Sequence, residues 1–337
     1  MTKELKVSII IPTLNSQRTL QLCLDSINNQ DYRGEMEILV ADGGSIDDTL
    51  KIAKVKGTRI IKNRLKTGEA GKAVGVKYAG GEILAFIDSD NVLPSKDWLS
   101  QLVKPFRVDE EIIATEPLFF TYRKSDHWLT RYFALLGMGD PLSLFIGWYD
   151  KYSYITDKWT GLNIKIQNKK DYFSFYLNGE IPTIGANGFF VRKSELLKYP
   201  IKDYLFDIDV LKYLSRQEKV KVAKVKVGII HLFSGNISSF VRKQRRRISD
   251  FFFFSRKGFR SSNSNSIRIY WGLFKFILAT LLVFPLLLQM IIGFLRKKDI
   301  AWLFHPLACW LTLIVYSVET VRFPFTKEML NRKGWKQ

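Results

Sequence analysis

Short apolar runs alternate with helix-like stretches through the first third of the chain. Residues 7–11, 37–41, 59–61 and 83–87 have the length and apolar content of buried strands. Pro12 is expected to end the first strand. Asn15 and Ser16 are predicted to cap the helix that follows it, and Ser45 with Asp48 to form a capping box for the next helix. This order predicts an α/β fold with a mostly parallel, doubly wound sheet.

The last third of the chain is far more apolar. Residues 271–295 carry one charge, Lys275, and as one helix at ~1.5 Å per residue they would exceed the ~30 Å hydrocarbon core of a bilayer. Pro285 could kink this helix. A charged turn at residues 296–299 leads to a shorter apolar stretch at 301–318. The pattern predicts a helical hairpin that spans a membrane or lies at its interface, and a buried hairpin in a water-soluble protein is the alternative.

The region between these parts, residues 119–179, is rich in aromatic residues. Packing in a core explains most of them, whereas a membrane-facing surface is the alternative, because amphipathic aromatic side chains favour the membrane interface. The residues concerned are Trp128, Tyr132, Phe133, Phe145, Trp148 and Tyr149.

The charge balance indicates an anionic partner. The chain has 337 residues with 52 Lys and Arg against 32 Asp and Glu, a net charge of +20, and many cations lie between Arg242 and Arg260. An anionic membrane surface or a phosphate-rich substrate fits this excess. No recognised nucleic-acid motif accompanies it, so nucleic acid is not an expected partner. Cys23 and Cys309 offer neither a disulfide framework nor a metal-site spacing, and no amino-terminal secretory signal is expected, which suits a cytosol-facing protein.

Polar side chains follow three of the predicted strands. Ligands of open α/β sheets bind at the carboxyl ends of the strands. Asp88 and Asp90, with Ser89 between them, could share a divalent cation that holds a diphosphate, and a surface turn is the alternative. The other two strand ends bring Pro12, Thr13 and Asn15, and then Asp42, Gly43, Gly44 and Ser45.

As an ordered set, these motifs resemble the family 2 glycosyltransferases of the GT-A fold. The resemblance covers about residues 5–250. It rests on the strand-end segments 8–15, 42–49 and 88–90, and on the later segments 185–193, 206–209, 231 and 244–247.

The resemblance implies a UDP- or GDP-sugar donor, a divalent metal (Mg or Mn) and inverting transfer with a carboxylate as general base. It assigns the nucleobase to Asp42, the ribose and metal side to Asp88, and the direct metal bond to Asp90. His231 is a further metal or diphosphate candidate, with a buried core histidine as the alternative. The remaining donor-binding candidates are Pro12, Thr13, Asn15, Lys72, Ser89 and Arg247.

Two carboxylates compete for the role of base. The resemblance favours Asp207 over Asp209, and on a helix the two would point to different faces, one serving chemistry and the other structure or solvent. Lys72 could instead lie on a solvated helix face. The glycine-containing segment with Gly185, Asn187 and Gly188 is similar to the family's acceptor-side segment.

Three departures from the family pattern bear on the donor and on the acceptor. Lys72-Ala73 stands where an Arg-Asn pair is common, which puts that donor contact in doubt. Residues 245–248 lack the closing Trp of processive synthases, and residues 88–92 lack the Gln of polyprenyl-phosphate monosugar synthases. A non-processive transferase acting on a lipid-linked, polyprenyl-type glycan is therefore favoured. The alternatives are a dolichol-phosphate-mannose-synthase-like monosugar synthase and a non-catalytic, membrane-attached binding module.

Charge asymmetry around the hairpin predicts a catalytic domain on the cytoplasmic side of the cell membrane, because flanking cations outnumber those of the turn. The predicted organisation is a GT-A domain at 1–250 with a donor half at 1–118 and an acceptor half at 119–250, a basic linker at 251–268, a hairpin at 269–323 and a basic tail at 324–337.

Overall fold

The computed structural model divides into two compact units. The described residues are 4–178, 181–185, 187–233, 235–259 and 267–323. The first unit contains the described residues up to Thr121 together with Asn163–Leu232, and the second contains Tyr122–Leu162 and the described residues from Phe233 onward. The predicted basic tail at 324–337, and Arg260 at the end of the basic cluster, lie outside the described residues.

The first unit is built on a mixed ten-stranded sheet with the order β3-β2-β1-β4-β9-β6-β10-β8-β7, and β5 pairs with β10. The strands are β1 Val7–Thr13, β2 Met36–Asp42, β3 Arg59–Lys62, β4 Ile83–Phe86, β5 Asn91–Val92, β6 Ile112–Phe120, β7 Gln167–Asn168, β8 Tyr172–Leu177, β9 Phe189–Arg192 and β10 Val220–His231. The helices among the described residues are α1 Leu20–Asn28, α2 Thr49–Val55, α3 Gly68–Tyr78, α4 Trp98–Val108, α5 Trp128–Leu136, α6 Leu142–Ile146, α7 Lys193–Leu196, α8 Asp207–Gln217, α9 Ile237–Arg256, α10 Ile267–Leu282, α11 Phe284–Arg296 and α12 His305–Arg322, with a 3₁₀ helix at Ile300–Phe304.

The four amino-terminal strands of this sheet are parallel. β1 pairs with β2 as far as Thr13 opposite Asp42, and with β4 as far as Ile10 opposite Phe86. Ile10 and Phe86 are inaccessible to solvent, as expected for apolar strands covered on both faces. The mixed sheet confirms the predicted α/β class and brings the carboxyl ends of β1, β2 and β4 to one edge.

Two antiparallel strands bring later segments to that edge. β9 lies between β4 and β6 and is antiparallel to both. The residue that precedes it, Gly188, therefore reaches the end of β4, where its N–H donates to the Phe86 carbonyl at 3.1 Å. β5 pairs antiparallel with β10 and places Asn91 opposite His231.

The prediction that Pro12 ends the first strand is wrong. β1 continues through Pro12, which pairs with Ala41 of β2, to Thr13. Pairing with β4 has already stopped at Ile10, so Pro12 lies where β1 is bonded on one side only. A proline without an N–H is tolerated at such an edge-like position.

Both predicted helix caps are also wrong. α1 begins only at Leu20, and α2 begins at Thr49 without a side-chain cap. The expected capping side chains bond to neighbouring loops instead: Asn15 Oδ1 accepts from the Ile46 N–H at 3.0 Å, and the Ser45 hydroxyl donates to Asp42.

The second unit has an aromatic core formed by α5, α9, the 3₁₀ helix and the start of α12. Tyr132, Phe133, Phe240 and Trp302 belong to this buried cluster. Of the aromatic residues singled out above, Tyr132, Phe133 and Tyr149 are buried, and Trp128 and Phe145 pack partly buried against the same core. Core packing therefore explains these side chains.

The expected single helix over residues 271–295 is two helices, α10 and α11, bent by 94°. The break falls at Val283, whose φ is 62°, and Pro285 stands in the first turn of α11. The break is expected there, because proline fits the first turn of a helix but would clash with the fourth preceding carbonyl in its interior. By length and composition alone, Ile300–Arg322 is apolar enough to cross a membrane.

Candidate functional site

The loop after β2 is organised around Asp42. Its Oδ1 accepts from the Thr13 hydroxyl at 3.0 Å, and its Oδ2 accepts from the N–H groups of Gly44 and Ser45 at 2.8 and 2.9 Å. The Ser45 hydroxyl also donates to Oδ1. A carboxylate has roughly four acceptor positions, and four hydrogen bonds from the protein occupy those of Asp42. This buried side chain thus fixes the loop, and its contact with a nucleobase stays a prediction.

Asn15 joins this loop to the end of β1. Its N–H donates to the Ser45 hydroxyl at 2.9 Å, while its side chain accepts from Ile46 as described above. Its φ of 52° lies in the left-handed region that asparagine tolerates better than most residues. The ends of β1 and β2 thereby form one hydrogen-bonded rim.

The segment Asp88-Ser89-Asp90 forms the adjoining part of the rim. The Ser89 hydroxyl donates to Ser16 Oγ at 3.0 Å, and the Asp90 carbonyl accepts from the Leu232 N–H at 2.8 Å. Ser89 and Asp90 are 2% and 6% exposed, so a solvated surface turn does not describe them. The backbone of this segment is held from two sides.

Asp88 and Asp90 are two neighbouring negative charges, and a cation bound between them would reduce their mutual repulsion. Burial raises the pKa of Asp88, the charge of Asp90 acts in the same direction, and Lys72 and His231 oppose them. In the described part of the chain, no three His, Cys, Asp or Glu side chains are grouped to hold a metal ion. A Mg²⁺-type ion commonly takes only one or two carboxylates and completes its coordination with substrate phosphates and water. The residues present fit an ion shared with a bound diphosphate.

His231 lies beside this pair at the end of β10. Its Nε2 is 3.4 Å from Asp90 Oδ2, and its side chain is 17% exposed. The ring also packs against Phe120, with centroids 5.5 Å apart. His231 is therefore placed where it could contact a metal or a diphosphate, and that role stays a prediction.

The glycine-containing segment before β9 lies against the same edge. Asn187 Oδ1 accepts from the Asn91 side-chain amide at 2.9 Å. Gly188 has a φ of 90°, and an added Cβ would come within 3.1 Å of Ile229 and Trp98. Asn91, which also accepts from the Asp88 N–H at 3.2 Å, thus links the two segments. Sequence reasoning missed Asn91, although its place next to the paired aspartates was the available signal.

Lys72 and Asp207 form a buried ion pair, joining α3 to the start of α8. Their side chains are 8% and 7% exposed, so the alternative of a solvated helix face for Lys72 is wrong. Burial alone would lower the pKa of Lys72, but Asp207 and Asp88 outweigh burial and raise it. The charge of the Lys72 ammonium is therefore stabilised by two carboxylates, those of Asp207 and Asp88.

α3 approaches the sheet closely at this point. A Cβ added at Gly71 would stand 2.8 Å from a side-chain carbon of Pro12. The ammonium of the next residue, Lys72, is 5.6 Å from the Phe86 ring centroid at the end of β4. The small residue at 71 thus allows α3 to carry Lys72 to the strand ends.

Asp207 and Asp209 have different surroundings. Asp207 faces Lys72, whereas Asp209 is close enough to Tyr199 that, after burial, its charge helps to raise the pKa of that phenol. Both carboxylates are buried, at 7% and 5% exposure, so neither points simply to solvent. The geometry connects Asp207 with the strand-end residues, and the choice of base between the two stays a prediction.

A second buried ion pair is linked to Asp207 through Gly185. The sequence motifs did not indicate this pair. Glu116 of β6 and Lys224 of β10 are opposite each other in the sheet, fully buried, and 2.5 Å apart. Glu116 also accepts from the Gly185 N–H at 3.1 Å. Gly185 in turn lies so close to Asp207 that a Cβ added to it would collide with the Asp207 Cβ.

If Asp207 is the general base, Gly185→Ala should lower turnover about 10²-fold, because displacing a reacting group by about 1 Å costs this much. Gly57→Ala is the matched control: Gly57 also has a positive φ, but open space surrounds its Cβ position. Both variants should lose ~1 kcal/mol of stability from backbone strain, and Gly185→Ala should lose about 1–3 kcal/mol more because its Cβ would collide with Asp207. Steady-state kinetics and urea unfolding measure the two effects, and equal losses of turnover would contradict the role of Gly185.

Arg247 belongs to the second unit, on α9. Its guanidinium donates to the Gly139 carbonyl at 3.0 Å and to Gln244 Oε1 at 2.5 Å. A side chain at position 139 would collide with it, since an added Cβ would lie 2.9 Å from Arg247 Nη2. The predicted contact of Arg247 with the donor diphosphate stays a prediction.

Comparison with known proteins identifies the family. The family described as Glycosyl transferase family 2 matches residues 8–178, just over half of the chain. Glycosyltransferase AglE of Haloferax volcanii is 30% identical over 139 residues, which are 39% of this chain and 45% of the relative. The UDP-Glc:alpha-D-GlcNAc-diphosphoundecaprenol beta-1,3-glucosyltransferase WfaP of Escherichia coli is 33% identical over 136 residues, 39% of this chain and 50% of the relative. The chain thus spans about half the length of these curated relatives.

A solved mannosyltransferase structure has a similar fold. The mannosyltransferase PcManGT from Pyrobaculum calidifontis, in complex with GDP-Man and Mn²⁺, aligns with 94% of this chain and 88% of its own, at 15% identity and a TM-score of 0.54. The likeness agrees with the mixed sheet and confirms the predicted GT-A fold. With its amino-terminal half matched by the family and its fold shared, this chain belongs to glycosyl transferase family 2.

Proposed function

We propose that this glycosyltransferase moves a sugar from a UDP- or GDP-sugar to a lipid-linked, polyprenyl-type glycan at a membrane, with Mg or Mn as cofactor. The observation that carries the proposal is the convergence at one sheet edge of the Asp42 loop, the Asp88–Asp90 pair and the Lys72–Asp207 ion pair. The first two suit a nucleotide diphosphate, and the third holds Asp207, the candidate for proton transfer.

On the donor side, Asp90 and Asp88 would hold the divalent metal. Such an ion, when bound, neutralises the charge that develops on a departing nucleoside diphosphate. Asp42, with Thr13 and Asn15, shapes the rim that receives the nucleoside. PcManGT, which has a similar fold, was solved in complex with GDP-Man and Mn²⁺. This complex supports a site that takes a nucleotide sugar together with a divalent metal.

On the acceptor side, Asp207 would act as general base. It takes the proton of the acceptor hydroxyl while that oxygen bonds to the anomeric carbon. The bond from the anomeric carbon to the diphosphate breaks on the opposite face, so the anomeric configuration inverts. Gly185 and Glu116 position this carboxylate.

Lys72 would serve both sides. While it is paired with Asp207, the carboxylate is poorly available as a base. A donor diphosphate brings two or more negative charges and competes for the same ammonium. Donor binding would therefore draw Lys72 away and release Asp207 for the acceptor.

The ion pair makes a prediction about stability. Lys72→Met removes the buried cation that faces Asp207 and should lower the free energy of unfolding by ~3 kcal/mol, because breaking a buried ion pair is strongly destabilising. The matched control is Lys104→Met, which breaks the half-exposed pair with Asp171 and should cost under ~1 kcal/mol. Urea unfolding measures both, and an equal small loss would mean that the buried pair does not contribute to stability.

The acceptor class is supported by relatives and by the apolar carboxyl-terminal region. The name of WfaP describes transfer to a sugar on diphosphoundecaprenol. We propose that the first unit lies on the cytoplasmic side of the membrane.

A donor screen tests this function. Purified full-length protein is incubated with UDP- and GDP-sugars, Mn²⁺ or Mg²⁺, and either extracted lipid-linked glycans or polyprenyl phosphate alone. We expect one nucleoside diphosphate to be released only with metal and lipid-linked glycan. Release with polyprenyl phosphate would favour a monosugar synthase, and donor binding without any release would favour a non-catalytic module.

A further inference from the structure

We infer that the chain attaches to a single leaflet of an anionic bilayer through the outer faces of α10 and α11, with no described segment crossing the membrane. This inference deepens the proposed function and rests on it for the membrane as the location of the acceptor. It concerns the second unit alone.

α10 has one buried and one apolar exposed face. Gly272 and Phe276 are buried, and a Cβ at Gly272 would lie 2.7 Å from the Ile146 backbone of α6. On the other face, Trp271, Phe274 and Leu282 are 58%, 55% and 60% exposed. Water-soluble proteins rarely expose continuous apolar patches of this kind.

α11 continues the pattern after the bend. Gly293 packs against Trp302 so closely that an added Cβ would stand 2.7 Å from the indole ring. Phe284, Leu288 and Leu295 are 65%, 44% and 70% exposed. In both helices a glycine packs against the rest of the second unit, and large apolar side chains are exposed on the opposite face.

The bend makes a crossing by these two helices unfavourable. α10 has 16 residues and α11 has 13, about 24 Å and 20 Å at 1.5 Å per residue, each shorter than a ~30 Å hydrocarbon core. Because their axes differ by 94°, they cannot add their lengths along one direction. Helices of this kind suit the plane of the interface.

The charges near these helices identify the partner as an anionic leaflet. α10 and α11 contain no acidic residue, and their cations are Arg268, Lys275 and Arg296. Lys297 and Lys298 follow directly. Tyr270 and Trp271 lie next to Arg268 with exposures of 63% and 58%. Aromatic and basic residues beside an apolar face are typical of segments held at the headgroup level of negatively charged lipid.

α12 is long and apolar enough to span a membrane but lies along a strongly basic helix. Phe304, just before α12, packs against Phe240 of α9 with ring centroids 5.5 Å apart. Glu319 near its other end accepts from Arg245 Nε at 2.9 Å. Residues 242–247 of α9 contain five cations. A spanning α12 would draw this helix into hydrocarbon, which strongly disfavours such charges, so α12 is expected to stay with α9 outside the hydrocarbon core.

Vesicle binding tests the surface. Full-length protein is mixed with sealed phosphatidylcholine vesicles with or without phosphatidylglycerol, and the bound fraction is measured by flotation. The double variant Phe274→Asp, Leu288→Asp should bind anionic vesicles about tenfold or more weakly. The control Leu22→Asp replaces an apolar residue of the first unit that is 52% exposed and should bind as wild type. Unchanged binding by the double variant, or binding indifferent to phosphatidylglycerol, would overturn the inference.

Cysteine accessibility tests the topology. Lys298→Cys in the turn after α11 and Lys51→Cys on α2 are each exposed positions, and the native Cys23 and Cys309 are buried. In sealed inside-out membrane vesicles, a membrane-impermeant maleimide should label both engineered positions equally, without a gain on adding detergent. Labelling of Lys298→Cys only after detergent, with Lys51→Cys labelled before it, would show a crossing hairpin and overturn the inference.

These measurements do not depend on catalysis. The expected labelling without any nucleoside diphosphate release would contradict the proposed function and leave the one-leaflet attachment standing. Normal release of the nucleoside diphosphate together with a crossing hairpin would contradict the one-leaflet attachment and leave the proposed function standing.

Discussion

Asp90→Asn is expected to lower kcat/KM for sugar transfer by about 10³-fold or more. Asparagine keeps the shape of the side chain and the backbone bond to Leu232, but it removes the charge that would hold a divalent cation. The loss of an electrostatic group that stabilises developing charge has effects of this size. Nucleoside diphosphate release over a Mn²⁺ titration measures it, and the variant should need more metal at every donor concentration.

The control for this variant is Asp31→Asn, an exposed aspartate of the same unit that should keep full turnover. Wild-type turnover in Asp90→Asn would remove the aspartate from the metal site. An equal loss in Asp31→Asn would show that the effect is not specific to the strand ends.

Asp207→Asn is expected to reduce transfer by a similar factor while donor affinity changes only a few-fold. The amide cannot take the proton of the acceptor hydroxyl, but it fills the same space against Gly185. Calorimetric titration with the nucleotide sugar separates binding from turnover, and urea unfolding checks that the fold survives the loss of a partner for Lys72.

Asp209→Asn is the matched comparison for this prediction. It lies in the same helical turn and is equally buried, yet it neighbours Tyr199 rather than Lys72. If only Asp209→Asn lost transfer, the base would be Asp209. If both variants kept transfer, neither carboxylate would act as the base.

The parallel half of the sheet and its polar strand ends follow from local sequence. Ile83–Phe86 is apolar throughout because both faces of β4 are covered, and the polar residues that follow it stand at the carboxyl edge. Such features depend on a few neighbouring residues and on general rules of α/β folds. For the same reason the α/β class and the family could be predicted.

The features that depend on distant residues could not be predicted. Lys72 and Asp207 are 135 positions apart, and nothing local to either indicates the other. Asn15 and Ser45 have good capping side chains, but the long-range bonds from the Ile46 N–H to Asn15 Oδ1 and from the Asn15 N–H to the Ser45 hydroxyl take precedence over the helix ends. The break at Val283 needed the structure as well, since Pro285 is compatible with either a kink or a new helix start.

The most direct test of a metal-dependent transferase at this sheet edge is to count both products in one reaction. Full-length protein, the preferred nucleotide sugar and a lipid-linked glycan are incubated with Mn²⁺, and the released nucleoside diphosphate and the glycosylated lipid are quantified by mass spectrometry. We predict equal amounts of the two products in the wild type, about 10³-fold less of both in Asp90→Asn and in Asp207→Asn, and a comparable loss of both after chelation of the metal. Glycosylated lipid formed at the wild-type rate by Asp90→Asn, or after chelation, would contradict this function.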